Sequence, residues 1–178
     1  MRDPQRTVHG ILEAAEKVIL RSGVAKTTLD EIAREASISK GGVLHHFPTK
    51  EAVLVAVLQG LIARFEAGIE TKRKLDPVLK GAFTRAFLHS MLDPDASCTD
   101  VFLALNAAFS YTPALLALHR ETSYRWQRQV EADGIDITHA SIVRFAADGL
   151  GWARLYGVPA PSEEVRASVI QALVALTQ

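Results

Sequence analysis

Apolar residues recur at the spacing i, i+3, i+4, i+7 along the whole 178-residue chain, and no stretch alternates apolar and polar between hairpin turns. The pattern predicts an all-α protein. Val8, Ile11, Leu12, Ala15, Val18 and Ile19 form the stripe of helix 1, with Asp3 as candidate cap, Pro4 at the first helical position and Gly23 as the stop. Thr28-Leu29-Asp30-Glu31 has the spacing of a capping box, and Leu29, Ile32, Ala33 and Ala36 give helix 2 a buried face of about two turns. Ser39 then caps a third short helix from Lys40 to Phe47, which Pro48 ends because the residue before proline is pushed out of the helical region. Thr49 caps the fourth.

From Lys50, the positions Val53, Leu54, Val57, Leu58, Leu61, Ile62 and Phe65 carry that fourth helix to about Arg73, too long for a three-helix unit alone. It is expected to join two domains, 1–49 and 50–178. Asp76-Pro77, Thr112-Pro113 and Pro161-Ser162 punctuate further starts, and Gly134 and Gly157 mark stops. Five more helices follow, the eighth from about Thr138 to Tyr156 and the ninth from Ser162 to Leu176, for a total of nine.

With 48% hydrophobic and 22% charged residues the chain has the composition of a folded globular protein. A single cysteine, Cys98, excludes an internal disulfide framework and any multi-cysteine metal site, and fits a reducing compartment. No run is expected to supply the ~20 consecutive apolar residues of a membrane span, so no membrane partner and a cytoplasmic location are expected. Net charge is zero, but residues 1–50 hold eight basic against six acidic residues and three of the six histidines. That asymmetry points weakly to an anionic partner for the first domain.

Two short helices separated by a three- to four-residue turn have the pattern of a helix-turn-helix. Within the second, Lys40-Gly41-Gly42 is the notable feature, since each glycine costs a helix about 1 kcal/mol relative to alanine. The pair either belongs to a loose turn or lets a surface, such as a sugar–phosphate backbone, come close to the helix.

The runs Thr27-Thr28-Leu29-Asp30-Glu31-Ile32-Ala33-Arg34-Glu35-Ala36 and Ser39-Lys40-Gly41-Gly42-Val43-Leu44-His45-His46-Phe47-Pro48-Thr49-Lys50-Glu51 closely resemble the DNA-binding domain of the tetracycline-repressor (TetR) family of transcriptional regulators. The resemblance covers about 50 contiguous residues including helix 1. It implies that helix 3 enters the major groove of double-stranded DNA and that phosphates are gripped on both sides. Ser39, Lys40, Gly41, Gly42, Leu44 and His45 would then face the duplex, Lys40 reaching guanine O6 and N7 or a phosphate and His45 a phosphate or base edge. Lys50, at the start of helix 4 where free N–H groups favour an anion, and Thr28, at the start of helix 2, would hold phosphates. His46 is packing or a phosphate contact, and Arg2 and Arg6 are either an arm beside the duplex or simply solvated.

Two departures stand out. Where the family commonly has Thr and then Tyr, this chain has Gly42 and Leu44, which removes a hydroxyl contact and shifts reading toward Lys40, His45 and DNA shape. Where the turn commonly has glycine there is Ser37, which either takes a strained φ or marks a different turn.

In the second domain Phe65, Phe83, Phe87, Met91, Phe102, Phe109 and Trp126 fall on apolar stripes, with His119 near them, and Asn106 interrupts one of these stripes. Core is the simpler reading for the aromatic and methionine positions, whereas a buried amide needs a partner. The resemblance implies a pocket among helices 4 to 8 for a small, mostly apolar effector whose binding swings helix 4, with Phe65, Phe87, Met91, Phe102, Asn106, Phe109, His119 and Trp126 as its candidate lining. It also implies that helices 8 and 9 build a homodimer, here through Phe145, Leu150, Trp152, Val169, Leu173 and Leu176, that reads a palindromic operator with half-sites ~34 to 36 Å apart or more.

The expected function is a ligand-responsive regulator, most simply a repressor released by its effector, with a helical binding protein that has lost DNA reading as the alternative. No Glu-x-x-His, paired carboxylates, Gly-rich phosphate loop or catalytic triad pattern suggests an enzyme, and neither a cofactor nor a metal is expected.

Overall fold

The computed structural model describes residues 4–92, 99–159 and 161–178. Arg2, Asp3 and Cys98 lie outside them. Among the described residues there are nine helices and no strand: α1 Pro4–Lys26, α2 Leu29–Glu35, α3 Lys40–His46, α4 Lys50–Leu75, α5 Ala82–Met91, α6 Thr99–Asn106, α7 Pro113–Glu131, α8 Ile137–Leu155 and α9 Glu163–Ala175. The chain packs as two compact units, Met1–Ile62 with Cys98–Arg120 and Ala63–Ser97 with Glu121–Gln178. The first therefore takes in more than residues 1–49, because α6 packs on α1 and the start of α4 belongs with them.

In the first unit α1 buries Ile11, Ala15, Val18 and Ile19 of its expected stripe, together with Ala14, while Val8 and Leu12 are half-buried. Gly23, at φ 75° and ψ 160°, breaks the helical run where expected, and one further turn reaches Lys26. The Thr27 hydroxyl, buried, donates to the Gly23 carbonyl at 2.9 Å and closes the break. Against α1 packs α2 through Ile32 and Ala33, and α3 in turn packs on α2. Each of α2 and α3 has only seven residues, too few to persist alone in water. Their stability comes from the shared core.

Contrary to expectation, α4 is long and apolar enough, by length and composition, to cross a membrane. Its apolarity is accounted for by packing, since Val53, Leu54, Val57, Leu58, Leu61 and Ile62 are all buried.

The second unit differs from expectation at the start of α5. Asp76-Pro77 has the local look of a helix start, yet α5 begins at Ala82. Its first N–H groups are satisfied by a residue far along the chain: the Asp133 carboxylate accepts from Phe83 at 3.1 Å and Thr84 at 2.7 Å. Gly81 sits in the left-handed region at φ 74°, where a Cβ would collide with the Thr177 carbonyl oxygen, so glycine is required there.

Asp76 serves another purpose. Arg85 is buried, and its guanidinium uses every donor: Nε to Asp76 Oδ2 at 2.7 Å, Nη1 to the carbonyl and hydroxyl of Thr177 at 2.9 and 3.1 Å, and Nη2 to the carbonyls of Val78 and Lys80 at 2.5 and 2.9 Å. One side chain thus ties the 76–80 loop and the last turn of the unit to α5. Helix α5 packs along α8, where Gly151 leaves room for the Met91 methyl group.

Arg85→Met should lower unfolding free energy by about 3–5 kcal/mol in urea denaturation, because it strands Asp76, the buried Thr177 carbonyl and the part-buried carbonyls of Val78 and Lys80. The hydrogen bond from Arg85 holds the Asp76 carboxyl below the usual aspartate value. The resulting stabilisation is present above the unfolded-state pKa of about 3.9 and is lost as pH falls through the lower folded value. Asp76→Asn should therefore flatten the acid limb of the stability profile below about pH 4.

Candidate nucleic-acid interface

The α2–turn–α3 segment is held by caps that the local sequence encodes. The Thr28 hydroxyl accepts from the Glu31 N–H at 3.2 Å, while the Glu31 carboxylate accepts from the Thr28 N–H at 3.0 Å and from its hydroxyl at 2.9 Å. The two donors with which Thr28 could hold a phosphate, its N–H and its hydroxyl, are thus already engaged by Glu31. Ser39 Oγ accepts from the Gly42 N–H at 3.1 Å, and Thr49 Oγ1 from the Ala52 N–H at 3.0 Å at the start of α4. Between α2 and α3 the chain turns at Ser37, whose φ of 54° places it in the left-handed region.

Helix α3 has two faces. Val43 is buried within the helix and Phe47 at its cap, and these anchor it. Lys40, Gly41, Leu44 and His45 are exposed at i, i+1, i+4 and i+5, one continuous outward face; Ser39 lies exposed beside it, and Gly42 and His46 are half-buried. The loose-turn reading of the glycines does not hold, since both lie inside the helix. Their absence of side chains is also not demanded by this unit's packing: a Cβ at Gly41 would meet only Ser39 Oγ at 3.9 Å, and one at Gly42 would make ordinary contacts with Ser39 and Ile38.

One cation lies on this face and a second at its flank. Lys40 Nζ lies 2.8 Å from Asp30 Oδ2, across the turn, with both side chains about half exposed. Lys50 Nζ donates to the Ala25 carbonyl at 3.2 Å, and partial burial pushes its ammonium below the usual lysine value, opposed by the Glu31 carboxylate. The His45 and His46 rings meet edge to face at 5.0 Å between centroids. Among the described residues no group of three or more His, Cys, Asp or Glu side chains could hold a metal ion.

The eight side chains expected to line an effector pocket fall into two sets. Phe102, Phe109 and His119 cluster in the first unit, with ring centroids 5.1 to 6.2 Å apart, and Asn106 lies on α6 of the same unit. Phe65, Phe87 and Trp126 cluster in the second, 5.2 to 5.7 Å apart, and Met91 packs there against Gly151. Phe83 joins this second cluster, 6.4 Å from Phe87. Two of its polar members escaped the sequence reading. Arg144 is buried with its guanidinium 4.5 Å from the Phe87 centroid, its Nε on Asp148 at 3.0 Å and its Nη1 without a partner. Its position in the stripe Ala140, Val143, Arg144, Ala147 was a legible signal, a charge at a core position. Glu66 accepts from Arg125 Nη2 at 2.6 Å and from the Trp126 indole N–H at 2.9 Å. A cleft of ≈ 450 Å³ opens beside them, walled by Glu66, Ile69, Glu70, Phe83, Trp126 and Gln129, among others.

Of the residues expected at a dimer interface, Phe145 is 68% exposed, and Leu150, Trp152, Val169 and Leu176 are half-buried. Leu173 must be corrected. It is 6% exposed, packed into its own unit, because α9 is apolar on more than one side and this residue lies on the inward one. Exposed Ile142 and Val165 extend the outward apolar surface instead.

Residues 11–57 match a family profile described as "Bacterial regulatory proteins, tetR family", and residues 81–178, more than half of the chain, match "Tetracyclin repressor-like, C-terminal domain". The chain belongs to the TetR family. It is 34% identical over 79 residues to the probable transcriptional regulator ArpR of Pseudomonas putida, a match spanning 43% of this chain and 38% of that protein. To the regulator BetI of Ectopseudomonas mendocina it is 29% identical over 146 residues, 78% of this chain and 71% of the relative. The fold is shared with multidrug binding protein EbrR in complex with ethidium, at a TM-score of 0.70 and 24% identity, over 98% of this chain and 99% of that one.

TetR-family proteins are transcriptional regulators rather than enzymes, and the helix-turn-helix of this member is complete in its backbone geometry. The strained φ of Ser37 lies where the resemblance led to an expectation of glycine. Relieving a left-handed conformation is worth on the order of 1 kcal/mol, so Ser37→Gly should raise the thermal midpoint by about 2–4 °C. Differential scanning calorimetry would show it.

Proposed function

We propose that this TetR-family protein is a repressor that binds a palindromic operator as a homodimer and is released by a small, mostly apolar effector. The observation that carries the reading is the outward face of α3: Lys40, Gly41, Leu44 and His45 exposed together, with glycines that nothing in their own unit requires. Such a face admits a duplex closely and offers it donors and an apolar patch for a thymine methyl. Lys50 and Ser39 stand at its flanks as phosphate contacts, with His46 beside them and Arg6 as the remaining arm residue; Thr28 joins them only by releasing a donor that Glu31 holds.

For the effector, the cleft beside the aromatic cluster offers Phe83, Trp126 and Ile69 among the charged Glu66, Glu70, Arg73, Arg125 and Asp133, a lining suited to a planar organic molecule with polar edges. The shared fold with a protein that binds ethidium supports this class of ligand. Phe102, Asn106, Phe109 and His119 form the second candidate set. Helix α4 carries both Lys50 and Phe65, so an effector that displaces it would move a phosphate contact. Residues 1–49 serve as the DNA-binding domain and 50–178 as the effector and dimerisation domain, with Lys50 at their junction as the last DNA contact.

Selection from randomised duplexes at two salt concentrations tests the central reading: an enriched palindrome is expected, and a folded protein that enriches nothing would favour a binding protein without DNA reading. On the selected duplex, Lys50→Ala should weaken binding to all sequences alike and reduce the slope of log K against log salt by about 0.9 for each phosphate that is no longer neutralised. An unchanged slope would remove Lys50 from the phosphate contacts. Ile142→Asp with Phe145→Asp should yield a monomer in sedimentation, and a persistent dimer would place the interface elsewhere.

A further inference from the structure

Lys40 is the one lysine or arginine on the outward face of α3, and the residues after it are glycines that provide no side chain to orient its four-carbon stem. A free lysine there would be a mobile point charge, as well satisfied by any phosphate as by a base edge. The structure shows it restrained. Its Nζ lies 2.8 Å from the Asp30 carboxylate, which projects from the first turn of α2 ten residues earlier and across the turn. That turn is held in place by the left-handed Ser37 and the two helix caps.

We propose that Asp30 is a specificity-determining positioning residue that commits Lys40 to base edges rather than to phosphates. This rests on the DNA-binding reading above. An ammonium has three N–H donors, and with one held by Asp30 the other two can meet two acceptors side by side, the arrangement of guanine O6 and N7. A phosphate instead competes with the Asp30 carboxylate for the same positive charge, so neutralising it draws Lys40 away and leaves Asp30 uncompensated beside a polyanion. Asp30 therefore penalises contacts that carry no sequence information. Such negative discrimination is a recognised route to specificity, since a ratio of affinities rises when the wrong partner is made worse. The neighbouring Glu31 does not substitute for Asp30, because its carboxylate is occupied by the Thr28 capping box.

The test compares unsubstituted protein, Asp30→Asn and Asp30→Glu on a selected duplex and on a scrambled duplex of equal length, by fluorescence anisotropy across a salt series. With Asp30→Asn, binding to the scrambled duplex should tighten about two- to fivefold, the range expected for an exposed ion pair. Its slope against log salt should steepen by about 0.9 for each lysine released to a phosphate, and the specificity ratio should fall. Asp30→Glu, which keeps the charge within reach of Lys40, should restore the ratio. A structural role alone would weaken both duplexes equally without changing either slope, and that outcome, or an unchanged ratio, would overturn the inference while leaving DNA binding intact. Failure of the unsubstituted protein to bind either duplex would overturn the DNA-binding reading itself.

Discussion

A seven-residue helix leaves nearly all of its terminal N–H and C=O groups without partners inside the helix, and two such helices form the candidate reading head of this protein. Everything around them can be understood as supplying what they lack. Thr28, Glu31 and Ser39 satisfy the first donors, and Ile32, Ala33, Val43 and Phe47 bury one face of each. The cost of the arrangement is visible in Ser37, held at a φ that L-residues avoid, and in two glycines within α3. Packing within the unit does not account for the two glycines, since a Cβ at either would make only ordinary contacts.

The same accounting runs through the second unit with long-range partners. Asp133 caps α5 from across the unit, and Arg85 distributes five N–H donors among Asp76, Val78, Lys80 and Thr177. Buried charge is therefore used there as a clamp. Arg144 is the exception, stacked on Phe87 with Nη1 unpartnered and Asp148 beside it, whose carboxyl is pushed up by burial despite the arginine. Polar capacity is left within the aromatic cluster.

What could be read in the sequence follows from this difference. Thr28 and Glu31, or Ser39 and Gly42, are three residues apart, so helices α2 and α3 and their order were legible from local spacing. The start of α5 was not, because its cap lies about fifty residues away and Asp76, which resembles a start, belongs to Arg85. Leu173 failed for a related reason: α9 is apolar on several sides, and only packing shows which side is inward. The aromatic stripes were visible, but their division between two units depends on which parts of α4 and α7 pack with which neighbours. Lys40 was readable as a donor, whereas its partner Asp30 emerged only once the turn angle was known.

On the proposed reading, helix α3 is kept bare at the expense of its own stability so that a duplex can come close. Gly41→Ala is the sharpest test of this trade, since a methyl group there meets no atom closer than 3.9 Å within its surroundings. Unfolding and duplex binding measured on the same preparation should move in opposite directions: stability rising by about 0.5–1 kcal/mol, and affinity for the selected operator falling. A variant that is more stable and binds as tightly as the unsubstituted protein would contradict it.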